Sequence, residues 1–199
     1  MTRTRCFVAF ELAEESRAYV QERLAPLQTL LARELPLRLR PVPAANWHAT
    51  LLFFPGLEDD ERAALWEAVA ADVAAGAWRG IGFDWQGFAL WPTPRRPGML
   101  CLVGADYPAA RDWPLYGRLE QQPFAQADLR HVGRFVPHIT LMRAAERRAV
   151  DAREAWTALA PRVPPLDPRA VRVERISLFL SVVSRERPIY PRVHSLPLD

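Results

Sequence analysis

Two short motifs, His48-Ala49-Thr50 and His138-Ile139-Thr140, hold the residues best suited to chemistry. The chain has four histidines and seven threonines, so random placement would give about 0.14 His-x-Thr triplets. A leucine follows each motif, which makes the coincidence rarer still. The pair therefore predicts one site to which both motifs contribute.

The spacing of the motif residues suits acid–base chemistry on a phosphate. On a β-strand, residues i and i+2 point to the same face, so each motif presents one imidazole and one hydroxyl together. A neutral imidazole can accept a proton from water, and an imidazolium can donate one to a departing oxygen. Threonine hydroxyls can donate to the non-bridging oxygens, where charge builds up. The pattern requires no metal and no cofactor.

The elements that must position the motifs occur in the same order in both halves of the chain. Hydrophobic periodicity and turn residues predict strands at 5–12, 47–54, 81–90, 99–104, 136–143, 171–183 and 189–196. They predict helices at 14–35, after residue 59, at 109–122 and at 147–159. The motif histidines are 138 − 48 = 90 residues apart, and the strands at 81 and 171 begin at the same offset. This constant offset indicates an internal duplication.

We therefore predict a single bilobal α+β domain over 1–199, with a first half of about 1–97 and a second half of about 98–199. Two lobes of antiparallel sheet, related by a pseudo-two-fold axis, would carry helices on the outside. They would meet at a central cleft that contains both motifs.

Composition sets the broad class of the protein. Half of the 199 residues are hydrophobic and a quarter are charged, which favours a folded soluble protein. No apolar run approaches the roughly 18–20 residues that cross a bilayer, and Glu11 interrupts the apolar N-terminus before a signal-peptide core. We expect a cytoplasmic protein without a membrane partner. Cys6 and Cys101 lack a Cys-x-x-Cys spacing and are predicted to be buried reduced thiols.

The basic residues say little about partners. All 26 are arginine, which suits bidentate phosphate recognition, and the net charge of +3 is compatible with a polyanion. A GC-rich genome explains the same bias, together with the abundance of alanine and proline. The composition is therefore not evidence for an RNA substrate.

The motifs and their flanks carry a family resemblance. Residues 47–54 paired with 137–141 resemble the HXTX motifs of the 2H phosphoesterase superfamily, and within it the bacterial and archaeal RNA 2',3'-cyclic phosphodiesterases, also called 2'-5' RNA ligases. Residues 5–12 resemble that family's first strand, and Tyr190 with 195–198 resembles its last. Pro55 departs from the family's usual Phe-Leu-Gly after the first motif, which should alter the cleft rim and leave the chemistry unchanged.

The resemblance implies both an activity and roles. The implied fold is bilobal α+β, and the implied reaction is hydrolysis of an RNA terminal 2',3'-cyclic phosphate to a 2'-phosphate. For some members it also implies reversible 2'-5' joining of tRNA half-molecules. The first-motif histidine is the family's proton donor and the second its acceptor, which correspond to His48 and His138. RNA is the expected partner, and we expect a monomer.

Several residues outside the motifs are weaker candidates for substrate binding. Arg143 follows the second motif, but strict strand alternation predicts that it faces away from His138. Tyr190 and Phe7 could stack on a base, although core packing is at least as good an interpretation of Phe7. The Arg95–Arg96 loop after Trp91 could meet the RNA body or be a solvated hairpin turn. The two histidines without a motif are interpreted as structural or exposed: His131 and His194.

Three other classes of function can be compared with the sequence. A metallohydrolase would add carboxylates or a third histidine close to the first two, and neither motif contains them. A non-catalytic RNA-binding module would not need a proton-transfer pair. The alternative that the sequence alone does not exclude is a related phosphoesterase acting on a small cyclic nucleotide, ADP-ribose cyclic phosphate or a 2'-5' oligonucleotide.

Overall fold

The structure is a computed structural model that describes residues 2–108, 112–125, 135–146, 150–183 and 188–198. His131 lies outside these residues, as do parts of the predicted helices at 109–122 and 147–159. No helix in the described parts of the chain combines the length and apolar composition needed to cross a bilayer.

One antiparallel sheet of eight strands forms the scaffold. The strands are β1 (Thr4–Leu12), β2 (Leu39–Pro41), β3 (His48–Leu57), β4 (Trp85–Trp91), β5 (Met99–Gly104), β6 (His138–Ala144), β7 (Val173–Leu180) and β10 (Arg192–Pro197). Seven of them follow the order β10-β7-β1-β3-β6-β5-β4, and β2 pairs with β6. The two motif-bearing strands, β3 and β6, are therefore neighbours at the centre. A separate small ribbon pairs β8 (Val182–Val183) with β9 (Pro188–Ile189).

Four α-helices accompany the sheet in the described residues: α1 (Glu14–Glu34), α2 (Asp59–Ala74), α3 (Pro114–Glu120) and α4 (Arg153–Leu159). Glu58 and Glu61 form a capping box that fixes the start of α2, and Gly76 follows its end at φ +72°. Pro26 lies within α1 without splitting it. Pro114 is the first residue of α3, a position at which no intrahelical N–H bond is needed.

The helices cover one face of the sheet. Along β1, Cys6, Val8, Phe10 and Leu12 point into the main hydrophobic core, to which all four helices contribute buried leucines. The alternate residues Phe7 and Ala9 belong to a small separate cluster on the opposite face. Strand alternation thus separates a core face from a second face, which carries the site.

The strand order confirms the predicted α+β fold with two pseudo-symmetric lobes of antiparallel sheet. The series β7-β1-β3 in one lobe corresponds to β4-β5-β6 in the other, with the two-fold relation between β3 and β6. The outer strand of each series comes from the other half of the sequence, since β4 pairs with β5 and β7 pairs with β1. The proposed boundary near residue 97 therefore divides the sequence repeat, whereas the sheet joins both halves through exchanged strands.

Candidate active site

The register of the central strands places the four motif residues on one face. Ala49 pairs with Ile139, and both are fully buried on the core face. The flanking residues of each strand must then point the other way, toward the second face. This brings the four partly buried motif side chains together at the sheet centre: His48, Thr50, His138 and Thr140.

Both imidazoles are held in the same way. Nδ1 of His48 lies 2.8 Å from the Asn46 carbonyl oxygen, and Nδ1 of His138 lies 3.0 Å from that of Val136. A carbonyl can only accept, so Nδ1 carries the proton in each ring and donates it. Nε2 is therefore the nitrogen left to exchange a proton with a substrate in both motifs.

Aromatic rings support each histidine from the side. Phe7 stacks on His48 and Trp91 stacks on His138, each with 4.8 Å between ring centroids. Phe7 is only 3% exposed and also stacks on Phe179, so it supports His48 from within the small cluster and offers little free surface. Tyr190 is partly exposed and meets His48 edge-on at 5.6 Å.

Arg143 lies on the site face, so the expectation from strict alternation is wrong. The β5–β6 register shifts between Leu100 and Cys101, and the neighbours Leu141 and Met142 are both buried. This β-bulge reverses the alternation beyond it. Arg143 consequently emerges exposed on the same face as Thr140, where its charge acts on the pKa of His48.

The first motif has a matching bulge that sequence reasoning missed. The β1–β3 register shifts between Val8 and Ala9, and both Leu51 and Leu52 are buried. Phe53 therefore emerges on the site face with 51% of its surface exposed. It lies five residues after His48, as Arg143 does after His138, and the repeat offset of 143 − 53 = 90 could have revealed the pair.

The surroundings of His48 favour its neutral form. Burial is the main cause that lowers the pKa of His48 to about 4, and electrostatic interactions with Arg143 and His138 lower it further. The Asn46 carbonyl and the Glu11 carboxylate act in the opposite direction. In this environment His48 is therefore unprotonated at neutral pH.

Glu11 is a second residue that the sequence reading missed. It lies opposite His48 in the β1–β3 register and is 7% exposed. The Ser177 hydroxyl donates a hydrogen bond to its carboxylate, and Arg192 Nη1 lies 3.3 Å from Oε1. These partners hold the Glu11 carboxylate at a fixed place beside the first-motif imidazole.

The hydroxyl of Thr140 has a weak partner within the protein. It donates to the Met99 Sδ at 3.3 Å, and the Cys101 Sγ lies 4.0 Å from its oxygen. A thioether is a poor acceptor, so a phosphate oxygen can readily replace it. Burial raises the pKa of Cys101 to about 12, which keeps this side chain a thiol, as predicted for both cysteines.

Of the two histidines without a motif, His131 lies outside the described residues. His194 is exposed on β10 and stacks on Trp66 at 5.1 Å. In the described parts of the chain, no three His, Cys, Asp or Glu side chains are grouped as a metal-binding site.

Comparison with known proteins points to one family. A family model described as LigT like Phosphoesterase matches residues 115–190, which include the second motif. No curated protein sequence matches at a significant level.

Solved structures match over nearly the whole chain. Crystal structures of E. coli LigT complexed with phosphate and with 3'-AMP each share 24% identity, cover 100% of this chain and 99% of that chain, and give a TM-score of 0.56. A protein of Thermus thermophilus shares 24% identity with a TM-score of 0.62, covering 98% of this chain and 97% of that chain. These matches confirm the α+β fold and, with the family model, the predicted resemblance to LigT-like phosphoesterases of the 2H superfamily.

Proposed function

Starting from this match to LigT-like phosphoesterases, we propose that the protein hydrolyses RNA terminal 2',3'-cyclic phosphates to 2'-phosphates. The observation that carries the proposal is the arrangement of the two motifs on one face, with each imidazole fixed through Nδ1 and its Nε2 available. The binding of 3'-AMP by E. coli LigT supports a nucleotide substrate.

In the proposed reaction, His138 accepts a proton from water as the water oxygen attacks phosphorus. The bond between phosphorus and the 3'-oxygen breaks, and His48 donates a proton to that oxygen. The products are a 2'-phosphate and a 3'-hydroxyl. Transfer of the proton gained by His138 to solvent, and uptake of one by His48, restore the starting state. Attack by an RNA 5'-hydroxyl in place of water would give 2'-5' joining, for which tRNA half-molecules are candidate substrates.

The other residues of the site would bind the substrate. Thr50 and Thr140 would donate hydrogen bonds to the non-bridging oxygens of the reacting phosphate, and the positive charge of Arg143 would attract the anionic substrate. Phe53 and Tyr190 would provide ring surface for the terminal base. The partly buried setting of the four motif residues would strengthen these interactions compared with water.

The proposed acid role of His48 requires a proton that its surroundings in the protein disfavour. Its pKa of about 4 means that roughly one molecule in a thousand is protonated at pH 7. A phosphate anion placed at Nε2 favours the charged imidazole, because an opposite charge in contact raises the pKa. We therefore propose that His48 takes up its proton together with the anionic substrate.

The test is an assay of the purified protein, with and without EDTA, on a small panel of substrates. The panel contains RNA with a cyclic phosphate end, a 2',3'-cyclic mononucleotide, ADP-ribose cyclic phosphate and a 2'-5' dinucleotide. We expect hydrolysis of the RNA end to a 2'-phosphate, unchanged by the chelator.

Turnover that disappears with EDTA and returns with a divalent ion would contradict the metal-independent mechanism. If another member of the panel is hydrolysed with a higher kcat/KM than the RNA end, that compound replaces RNA as the proposed substrate. We also propose that the protein is cytoplasmic and monomeric.

A further inference from the structure

The short strand β2 brings a second arginine beside Arg143. In the β2–β6 register, Arg40 lies directly opposite Arg143, between the pairs Leu39↔Ala144 and Pro41↔Met142. Directly opposed residues of an antiparallel pair point to the same face, with Cβ atoms about 4.5–5.5 Å apart. Because Arg143 faces the site, Arg40 does so as well.

This pair of like charges is not compensated by the described residues. Both arginines are exposed. Neither of them forms an ion pair with a carboxylate in the described parts of the chain, in contrast to arginines elsewhere on the surface. Like charges directly opposite each other destabilise a sheet. An anion bound between two guanidinium groups removes that repulsion and gains charge-assisted hydrogen bonds.

The position of the pair relative to the motifs defines which anion it can bind. Strands β2 and β3 lie on the same side of β6, where β3 pairs at Ile139 and β2 pairs at 142–144. The arginine pair therefore lies beyond His48 and Thr140, at one end of the four motif residues. Phe53 lies beyond Thr50 at the opposite end. The site thus has a cationic end with the arginine pair and an aromatic end with the exposed ring of Phe53. The ring of Trp91, which is in register with Arg143 through Met99, is stacked on His138.

We infer that Arg40, together with Arg143, binds the phosphodiester that precedes the terminal nucleotide of the substrate. This inference rests on the proposed function and narrows its substrate class to RNA ends of at least two nucleotides. The reacting cyclic phosphate occupies the motif residues, and the terminal base goes to the aromatic end. The next backbone phosphate is then the anion available to the cationic end. The arginine pair would make the protein favour oligonucleotides over cyclic mononucleotides.

The experiment compares two substrates that differ by one phosphodiester: 2',3'-cyclic AMP and the dinucleotide ApA with a 2',3'-cyclic phosphate end. For each, kcat/KM is measured for the wild type, for Arg40→Gln and for Arg79→Gln. Arg79 is an exposed arginine in the turn after α2, so its variant carries the same change of charge away from the site face. A 5'-phosphorylated cyclic AMP distinguishes an internal phosphodiester from any second phosphate.

We expect the ratio of kcat/KM for the dinucleotide over the mononucleotide to fall about tenfold in Arg40→Gln. The same ratio should stay at the wild-type value in Arg79→Gln. In the wild type, added salt should lower the ratio, and this dependence should be weaker in Arg40→Gln.

An Arg40→Gln variant with wild-type thermal stability and an unchanged ratio would overturn the inference. If the wild type hydrolyses 5'-phosphorylated 2',3'-cyclic AMP with the same kcat/KM as the dinucleotide, the arginine pair binds a terminal phosphate and not an internal phosphodiester. Absence of hydrolysis of either substrate by the wild type would instead refute the proposed function.

Discussion

The two halves of the site present the same motif in different surroundings. His48 is packed against Phe7 and Tyr190 and lies opposite the buried Glu11. His138 stacks on Trp91 at the end of the β4–β5 hairpin. Both rings use Nδ1 in the same backbone hydrogen bond, so the motif geometry is preserved while the environment differs. The repeated motif thus gives a symmetric arrangement of two imidazoles and two hydroxyls, whereas the neighbours of the two imidazoles differ.

The residues five positions after each histidine extend this contrast. Matching β-bulges bring both to the site face, where Arg143 provides a charge and Phe53 an exposed ring. A nucleotide is equally asymmetric, with anionic phosphates and an aromatic base. Two equivalent β-bulges that expose different side chains can therefore fix the direction in which a nucleotide binds.

Loss of either imidazole should have the largest effect. His48→Ala and His138→Ala should each lower hydrolysis by at least about 100-fold, because a general acid or base is lost. Steady-state kinetics measures the loss, and circular dichroism should show that the fold remains. The exposed His194 provides a control, and His194→Ala should keep wild-type activity. Two histidine variants that both retain activity within a few-fold would refute the assignment of a shared site.

Removal of one threonine hydroxyl should cost less than removal of an imidazole. Thr50→Val and Thr140→Val keep the shape of the side chain and remove one hydrogen bond to the transition state, so we expect losses on the order of 10–1000-fold. The loss should appear in kcat, which single-turnover kinetics can confirm. Unchanged kcat in both variants would show that the hydroxyls do not meet the reacting phosphate.

Removal of the exposed ring should weaken substrate binding. Phe53→Ala should lower kcat/KM by roughly 5–160-fold, in line with about 1–3 kcal/mol per stacked base, with the loss mainly in KM. Val193, also exposed on the surface, offers a matched control, since Val193→Ala removes apolar area from β10. Equal effects of the two substitutions would mean that Phe53 makes no special contact with the substrate.

The lowered pKa of His48 predicts a modest dependence of stability on pH. The unfolded chain binds this proton with a pKa near 6.5 and the folded protein with a pKa of about 4. The contribution to stability is therefore complete above pH 6.5 and is lost as pH falls toward 4. This contribution to the free energy of unfolding is at most about 3 kcal/mol, and the partial exposure of the ring makes it smaller.

Denaturant unfolding at pH 7 and pH 5 measures this contribution. The free energy of unfolding should fall less between these pH values in His48→Gln than in the wild type. His194→Gln should keep the wild-type dependence, because that ring is exposed. The same decrease in both variants would contradict the burial of a neutral His48.

Much of the site could be predicted from the sequence, because its geometry depends on local strand alternation. The two motifs indicated the correct strands and a common face for all four residues. Alternation failed beyond Leu51 and Leu141, where two consecutive buried apolar residues mark a bulge. The pairs Leu51-Leu52 and Leu141-Met142 carried that signal in the sequence.

Long-range pairing was less accessible to prediction. Nothing in the periodicity of β4 or β7 indicates that each joins the other lobe, because partner choice depends on contacts across the whole chain. In the sequence Glu11 indicates only a break in an apolar segment, because its partner Ser177 is 166 residues away. The opposition of Arg40 and Arg143 likewise depends on a three-residue strand that sequence patterns do not reveal.

The central claim is that the two imidazoles divide acid and base work, with His48 as the acid. The most direct test is a cyclic substrate with sulfur in place of the 3' bridging oxygen, since a good leaving group departs without a proton. This substrate should restore much of the activity lost in His48→Ala and little of that lost in His138→Ala, where the attacking water still lacks its base. Rescue of His138→Ala instead would reverse the roles. Equal rescue of both variants would contradict the division of work altogether.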